Sequence, residues 1–388
     1  MKILWVDVVP VLGGAQRSLL DVSKKLILEP DIELAVAVPR GPLASRLSEA
    51  GIPVHAITPV RATRRPSGFL STIFKLLFAS NDFSRVVRAV KPDIIHANSL
   101  PSFLAVGHSA AKMPVFWHVR DLRQPVPLMR EASHRAKHII APSESVAEYL
   151  AESLSSKVYS AIRTIPNGID TETFLPKDAA GARAKFGLDG DAPVIGMVAH
   201  FIKWKNHTAF LDMAARLKET YPEARFVLVG RDLFREAGSY IHSLKAHAEK
   251  LGLSGSVRFI EDCDDVQEIL PAFSVLVHPA LGEPFGRVVC EAMSCEVPVV
   301  AIASAGPQEI LDNGKTGILC KTDNAQELAE NVAHLLADET LRKQIGHAAR
   351  KAVIARYSIN RVAKELATLY RKTLDDISSD LRRSQFKD

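Results

Sequence analysis

The chain has 388 residues, nearly balanced charge (49 Lys and Arg against 44 Asp and Glu, formally +5) and 47% hydrophobic residues. That length fits two domains, each able to bury its own core. So small a basic excess favours at most anionic substrates or lipids, and no basic surface interleaved with aromatics supports a nucleic-acid partner.

From the N-terminus, short apolar runs alternate with amphipathic helical stretches. Strands are predicted over 3–9, 32–38, 54–58, 93–96, 115–119 and 138–141 in the first half. After the first of them comes a turn with Gly13 and Gly14, where two residues without Cβ let backbone N–H groups approach an anion. Arg61, Arg64 and Arg65 form a basic loop before an apolar run that ends at Phe78. Within 61–78 the loop reads either as solvated or as an acceptor contact, and the helix after it either as core or, with the loop, as a peripheral contact with a membrane surface. His96 and Asn98 end the fourth strand and read either as secondary site candidates or only as caps of a helix begun near Pro101. The fifth strand ends in His118, Arg120, Asp121 and Arg123, at the edge where open α/β sheets bind ligands. Pro166, Asn167 and Gly168 then make a turn, and 171–190 reads as a connection with a short helix.

The second half repeats the rhythm, with strands predicted over 194–199, 225–229, 257–260, 275–278, 297–302 and 317–320. Near-continuous hydrophobicity fits strands buried on both faces, so the class is α/β with two Rossmann-like doubly wound parallel sheets. After the first of these strands come His200, Lys203, Lys205 and Asn206. After the fourth comes a loop holding Glu283, Pro284 and Phe285, and Gly286 opens a helix that contains Arg287 and Glu291. Free N–H groups and the positive dipole end make that helix start an anion site. Residues seven or eight apart lie near one helix face, so Glu283 and Glu291 can face one pocket. A final helix is predicted over 360–376, followed by a polar tail.

Cys263, Cys290, Cys295 and Cys320 form no CxxC pair and no zinc spacing, which fits a reducing, cytoplasmic setting. The first residues, interrupted by Asp7, are too short for a signal peptide, and no apolar run reaches bilayer length. No metal site is evident, because Asp264 and Asp265 precede a probable helix, where acidic residues suit the dipole. Gly13 and Gly14 do not form a GxGxxG fingerprint, and no acidic residue ends the second strand, which disfavours a nicotinamide-dependent dehydrogenase.

The Glu283–Glu291 spacing resembles the E-x7-E signature of retaining glycosyltransferases of family four, whose fold is GT-B: two Rossmann-like domains facing across a cleft. The turn with Asn167, Gly168 and Asp170 is similar to that family's inter-domain turn, and Gly306 with Glu309 to its G-x-x-E loop. The resemblance divides the chain into an acceptor domain at 1–170, a donor domain at 171–357, and a helix crossing back to the first domain with its tail at 358–388. It implies transfer of a hexosyl unit from a nucleotide sugar, a UDP-sugar by preference. The acceptor would be a saccharide or a lipid-linked saccharide in polysaccharide or glycoconjugate assembly, with the protein in the cytoplasm or at the inner face of the membrane. The nucleotide sugar is a co-substrate, UDP the product expected to bind, and neither cofactor nor metal is implied.

The same resemblance assigns the site. Lys205 matches a lysine that grips the donor diphosphate, while His200 stands where the family has an arginine, so Lys203 or a protonated His200 supplies the missing charge. Ile260 falls where the base is seated, Glu291 takes the ribose, and Glu283 with Phe285, Gly286 and Arg287 holds the sugar. Gly13 and Gly14 help with the diphosphate. His118 resembles a histidine near the sugar, making His118, Glu283 and Lys205 the catalytic candidates, with Arg120, Asp121 and Arg123 for the acceptor. Two alternatives stay open: a catalytically weak nucleotide-sugar-binding partner subunit, suggested by His200, and a sugar-nucleotide epimerase of the same fold.

Overall fold

The computed structural model describes residues 1–60, 69–107, 113–122, 125–232, 238–261, 263 and 265–385. The chain divides into two compact units, one of Met1–Gly168 with Ile359–Asp388 and one of Ile169–Ser358.

The first unit is built on seven parallel strands: β1 (Lys2–Val6), β2 (Glu33–Val38), β3 (Val54–Ala56), β4 (Ile94–Ala97), β5 (Val115–His118), β6 (His138–Ala141) and β7 (Ile162–Thr164). Their order is β3-β2-β1-β4-β5-β6-β7, which reverses direction between β1 and β4. Central strands bury both faces because alternate residues point to opposite sides. Leu4 and Val6 pack into one layer with Ile95 and Trp117. Ile3 and Trp5 pack into the other, which Val362, Leu366 and Tyr370 of the last helix, Ile359–Gln385, complete. Its buried positions Val362, Ala363, Leu366, Ala367 and Tyr370 recur at helical spacing. Arg371 reaches Glu29 at 2.7 Å and Asp31 at 2.6 Å, pinning this helix beside Gly14–Leu26.

The second unit has six parallel strands: β8 (Val194–Val198), β9 (Arg225–Gly230), β10 (Val257–Glu261), β11 (Val275–His278), β12 (Val299–Ile302) and β13 (Ile318–Cys320). Their order, β10-β9-β8-β11-β12-β13, reverses between β8 and β11. In sheets of this kind the crevice at the carboxyl ends of the two reversal strands is where ligands bind. The loops after β8 and β11 carry Lys205 and Glu283.

Three local expectations differ from the structure. Strand β7 was not predicted: it has three residues, is half-exposed and offers no apolar run. The apolar stretch after the basic loop belongs to a longer helix, Phe69–Val90, while the basic loop itself lies outside the described residues. His96 and Asn98 do not cap the following helix, Leu100–Val106. Ser99 does, its side chain accepting from the Ser102 N–H at 3.3 Å. Among the described residues no helix is long and apolar enough to cross a membrane.

Candidate functional site

The exit of β11 is shaped by two glycines. Gly286 sits at φ +97°, a left-handed conformation that ends the loop and starts the helix Arg287–Ser294. Gly306 donates its N–H to the Glu283 carbonyl at 3.0 Å. A Cβ on Gly306 would lie 2.1 Å from the Phe285 carbonyl oxygen, so only glycine permits this approach. Phe285 is buried, its ring edge-on to Tyr357 at 5.6 Å. The backbone of Glu283 is thus fixed by the close approach of a neighbouring loop.

The Glu283 side chain is nearly enclosed, at 12% exposure, and pairs with Lys205, itself 13% exposed. His278, at the end of β11, holds Nε2 3.4 Å from the same carboxylate oxygen, an electrostatic contact longer than a normal hydrogen bond. Burial alone pushes the Glu283 carboxyl up, but the Lys205 charge and His278 outweigh it and hold the carboxyl down at about 2. The result is an ionised carboxylate in an almost dry site.

Lys205 ends a single 3-10 turn, Lys203–Lys205, that leaves the loop after β8. Asn206 follows at φ +62° and donates to the Pro279 carbonyl at 3.2 Å and to Asp323 at 3.0 Å, tying this loop to the exit of β11. The Lys205 ammonium also lies 4.1 Å from the Trp204 ring centroid. Lys203 is exposed, and His200 is half-buried with its carbonyl accepting from Ile202 N–H at 2.8 Å. Ile260 is half-buried on the edge strand β10. Glu291 is buried, and its carboxylate meets Arg287 at 3.2 Å, one turn away on the same helix. The two glutamates of the motif are therefore held by different cations.

In the first unit a polar network lies under the ends of β1, β4 and β5. Asp7 is fully buried and accepts from Asn98 at 2.7 Å, Gln16 at 2.9 Å and Val9 N–H at 2.9 Å. Burial raises its carboxyl despite these donors. Gln16 in turn accepts from the Gly13 N–H at 3.1 Å, which fixes the glycine turn; Gly14 is exposed beside it. Arg120 donates to Asn98 from Nε at 3.0 Å and a terminal nitrogen at 2.6 Å, and also binds Asn167 and Ser18. It is engaged inside the unit, whereas Asp121 is exposed and Arg123 lies outside the described residues. His118 is buried at the end of β5, its Nδ1 3.2 Å from His96 Nε2, and burial holds its ring well below the ordinary histidine range.

The sequence reading did not find Asp7, His278 or the role of Gln16. A lone aspartate after a strand carries no local signal, and Asp7 matters through Asn98 and Gln16, which other elements bring to it. His278 matters through Glu283, in the loop that leaves its own strand, a contact that shows only once that loop's path is known. Among the described residues no group of three or more His, Cys, Asp or Glu is clustered as a metal site.

Two family patterns match this chain in succession. The pattern described as Glycosyltransferase Family 4 matches residues 12–173, and that described as Glycosyl transferases group 1 matches residues 179–352. The D-inositol 3-phosphate glycosyltransferase of Corynebacterium urealyticum is 33% identical over 220 residues, 54% of this chain and 51% of that protein. The alpha-maltose-1-phosphate synthase of Mycolicibacterium smegmatis is 27% identical over 329 residues, 76% of this chain and 83% of that protein. For the first several curated relatives the match spans only about half of their length. A crystal structure of HepE from Anabaena in complex with UDP and glucose superposes with a TM-score of 0.82 at 24% identity, covering 96% of this chain and 99% of that one. At that identity the likeness is one of fold.

Proposed function

The chain belongs to the group 1 glycosyltransferases of family 4, whose two family regions it carries in order, and from that premise we propose that it moves a hexosyl unit from a nucleotide sugar to a saccharide or lipid-linked saccharide acceptor. The donor in this reading is a UDP-sugar, the anomeric configuration is retained, and no metal is needed. The observation that carries the proposal is the enclosed Lys205–Glu283 pair at the carboxyl end of β11. It sets a cation and an ionised carboxylate side by side, the one suited to a diphosphate and the other to sugar hydroxyls. The complex of HepE with UDP and glucose supports the choice of base.

Leaving-group departure builds negative charge on the diphosphate, and preorganised cations stabilise it most. Lys205 supplies that charge, assisted by Lys203 and His200. Glu283, with the N–H groups of Phe285 and Gly286, accepts and donates to the sugar. Glu291, oriented by Arg287, takes the ribose hydroxyls. A phosphate oxygen of the donor receives the acceptor proton on the face the leaving group vacates, so no dedicated protein base is required. The protein works in the cytoplasm, at the inner membrane face when the acceptor is lipid-linked. Leu77 and Phe78, 62% and 63% exposed, support that last part; co-flotation with anionic liposomes tests it, and failure to co-float removes it.

The test of the central proposal is thermal stabilisation by UDP, GDP, ADP and CMP, with magnesium and with EDTA. A nucleotide at a hundred times its dissociation constant adds about 2.7 kcal/mol. A UDP response that survives EDTA, followed by transfer from a UDP-sugar, is the expected result. Silence towards all four nucleotides refutes the donor site. His200, in place of a permanently charged arginine, favours one second reading: a partner subunit that binds nucleotide without turning donor over.

A further inference from the structure

Three rings stand in line beneath the end of β5. The Tyr370 hydroxyl, from the last helix, lies 2.5 Å from His96 Nδ1, and His96 Nε2 lies 3.2 Å from His118 Nδ1. His96 is clamped flat against Trp5, with ring centroids 3.8 Å apart and an interplanar angle of 8°. All three polar rings are buried, with His118 3% exposed and the other two fully enclosed. The far nitrogen of His118, Nε2, is buried without a hydrogen-bond partner.

Each neutral imidazole carries one proton, so the line can run in only two directions. If Tyr370 donates to His96 Nδ1, then His96 donates from Nε2 to His118 Nδ1, and His118 keeps its proton on Nε2. One donor, that Nε2–H, is left over. If the line runs the other way, the Tyr370 hydroxyl hydrogen and the His118 Nε2 lone pair are both stranded in the interior. A buried hydroxyl donor without a partner is costly, so the first direction wins. Burial keeps the Tyr370 phenol protonated and both imidazoles neutral, with the Arg120 charge adding to the effect on the two histidines.

We infer that Tyr370 and His96 are positioning residues that fix His118 as its Nε2–H tautomer, so that His118 offers a ligand oxygen at the end of β5 a hydrogen-bond donor and never a base. The inference rests on the proposed glycosyl transfer only for what His118 meets; the tautomer itself follows from the three rings. Such an oxygen, placed at Nε2, completes the line with no group left over. The last helix then contributes to the site through its tyrosine, besides closing the hydrophobic layer.

The test is the tautomer of His118 in the full-length protein labelled with nitrogen-15 histidine, read from two-bond proton–nitrogen correlations between pH 6 and 8. The His118 signals are identified by their loss in His118→Ala. The expected spectrum has Nε2 protonated and Nδ1 accepting. Tyr370→Phe keeps the ring edge against Phe116 and removes only the hydroxyl. In that variant the His118 signals shift towards a mixture with Nδ1–H, and release of UDP from UDP-glucose slows about tenfold in kcat with KM unchanged. A wild-type His118 with its proton on Nδ1, or doubly protonated, overturns the inference without any variant. Wild-type tautomer and kcat in Tyr370→Phe overturn it as well. Undiminished transfer by His118→Ala has a different meaning: it removes His118 from the transfer reaction and leaves the tautomer result standing.

Discussion

Replacing Glu283 by Gln separates the two jobs of the Lys205–Glu283 pair. The substitution keeps the side chain's shape and removes its charge, freeing Lys205 from a partner that competes with any diphosphate. The Glu283 carboxyl is held at about 2 against an ordinary value of 4.5. At about 1.4 kcal/mol per tenfold, that gap corresponds to about 3 kcal/mol of net stabilisation of the charged form. This is a net value, burial set against the attraction of Lys205 and His278, and it gives the scale of what a competing phosphate has to overcome. Because the carboxylate keeps part of its attraction when Lys205 turns to phosphate, we expect about a third of it to be recovered. Glu283→Gln is therefore expected to bind UDP about fivefold more tightly by titration calorimetry, while transfer from the UDP-sugar falls at least tenfold because the sugar exchanges a charged acceptor with two oxygens for a neutral amide with one. Unchanged or weaker UDP binding in this variant refutes the idea that the resting pair opposes the diphosphate.

Four other outcomes follow from the same geometry. Lys205→Ala lowers kcat on the order of a hundredfold or more, measured with saturating donor, since charge on the diphosphate grows towards the transition state. Acid melts report Glu283: its folded value is depressed, so its contribution is present above pH 4.5 and is lost as pH falls towards 2, and in Lys205→Ala that acid-dependent loss shrinks. Glu291→Ala weakens donor binding more than turnover, with KM rising and kcat nearly kept; a pure kcat loss contradicts its place on the ribose. Gly306→Ala lowers stability by about 1–3 kcal/mol in denaturant titration, because its Cβ meets the Phe285 carbonyl oxygen at 2.1 Å and the loop carrying Glu283 must move.

Much of the architecture is written locally. The strands of the two sheets read directly as apolar runs because residues buried on both faces leave no polar alternation, and β7 escaped for the opposite reason. Arg287 and Glu291 lie one helical turn apart, so their contact is implied once the helix start at Gly286 is recognised. Gly13, Gly286 and Gly306 mark turns that a sequence displays openly, though not which backbone approaches them.

The chain's alternation of short buried strands and amphipathic helices determined by itself that two doubly wound sheets form, since each period admits one way of burying its apolar face. What those sheets bring together was decided only by their strand order. Placing β8 beside β11 sets Lys205 against Glu283, which are 78 positions apart, and adds His278 at the end of the same strand. Placing β1, β4 and β5 in register, and returning the last helix over them, sets Tyr370 on His96 across 274 positions. Periodicity acts over a few residues, while a buried charge or hydroxyl finds its partner wherever the sheet delivers one, and that delivery is a property of the tertiary structure.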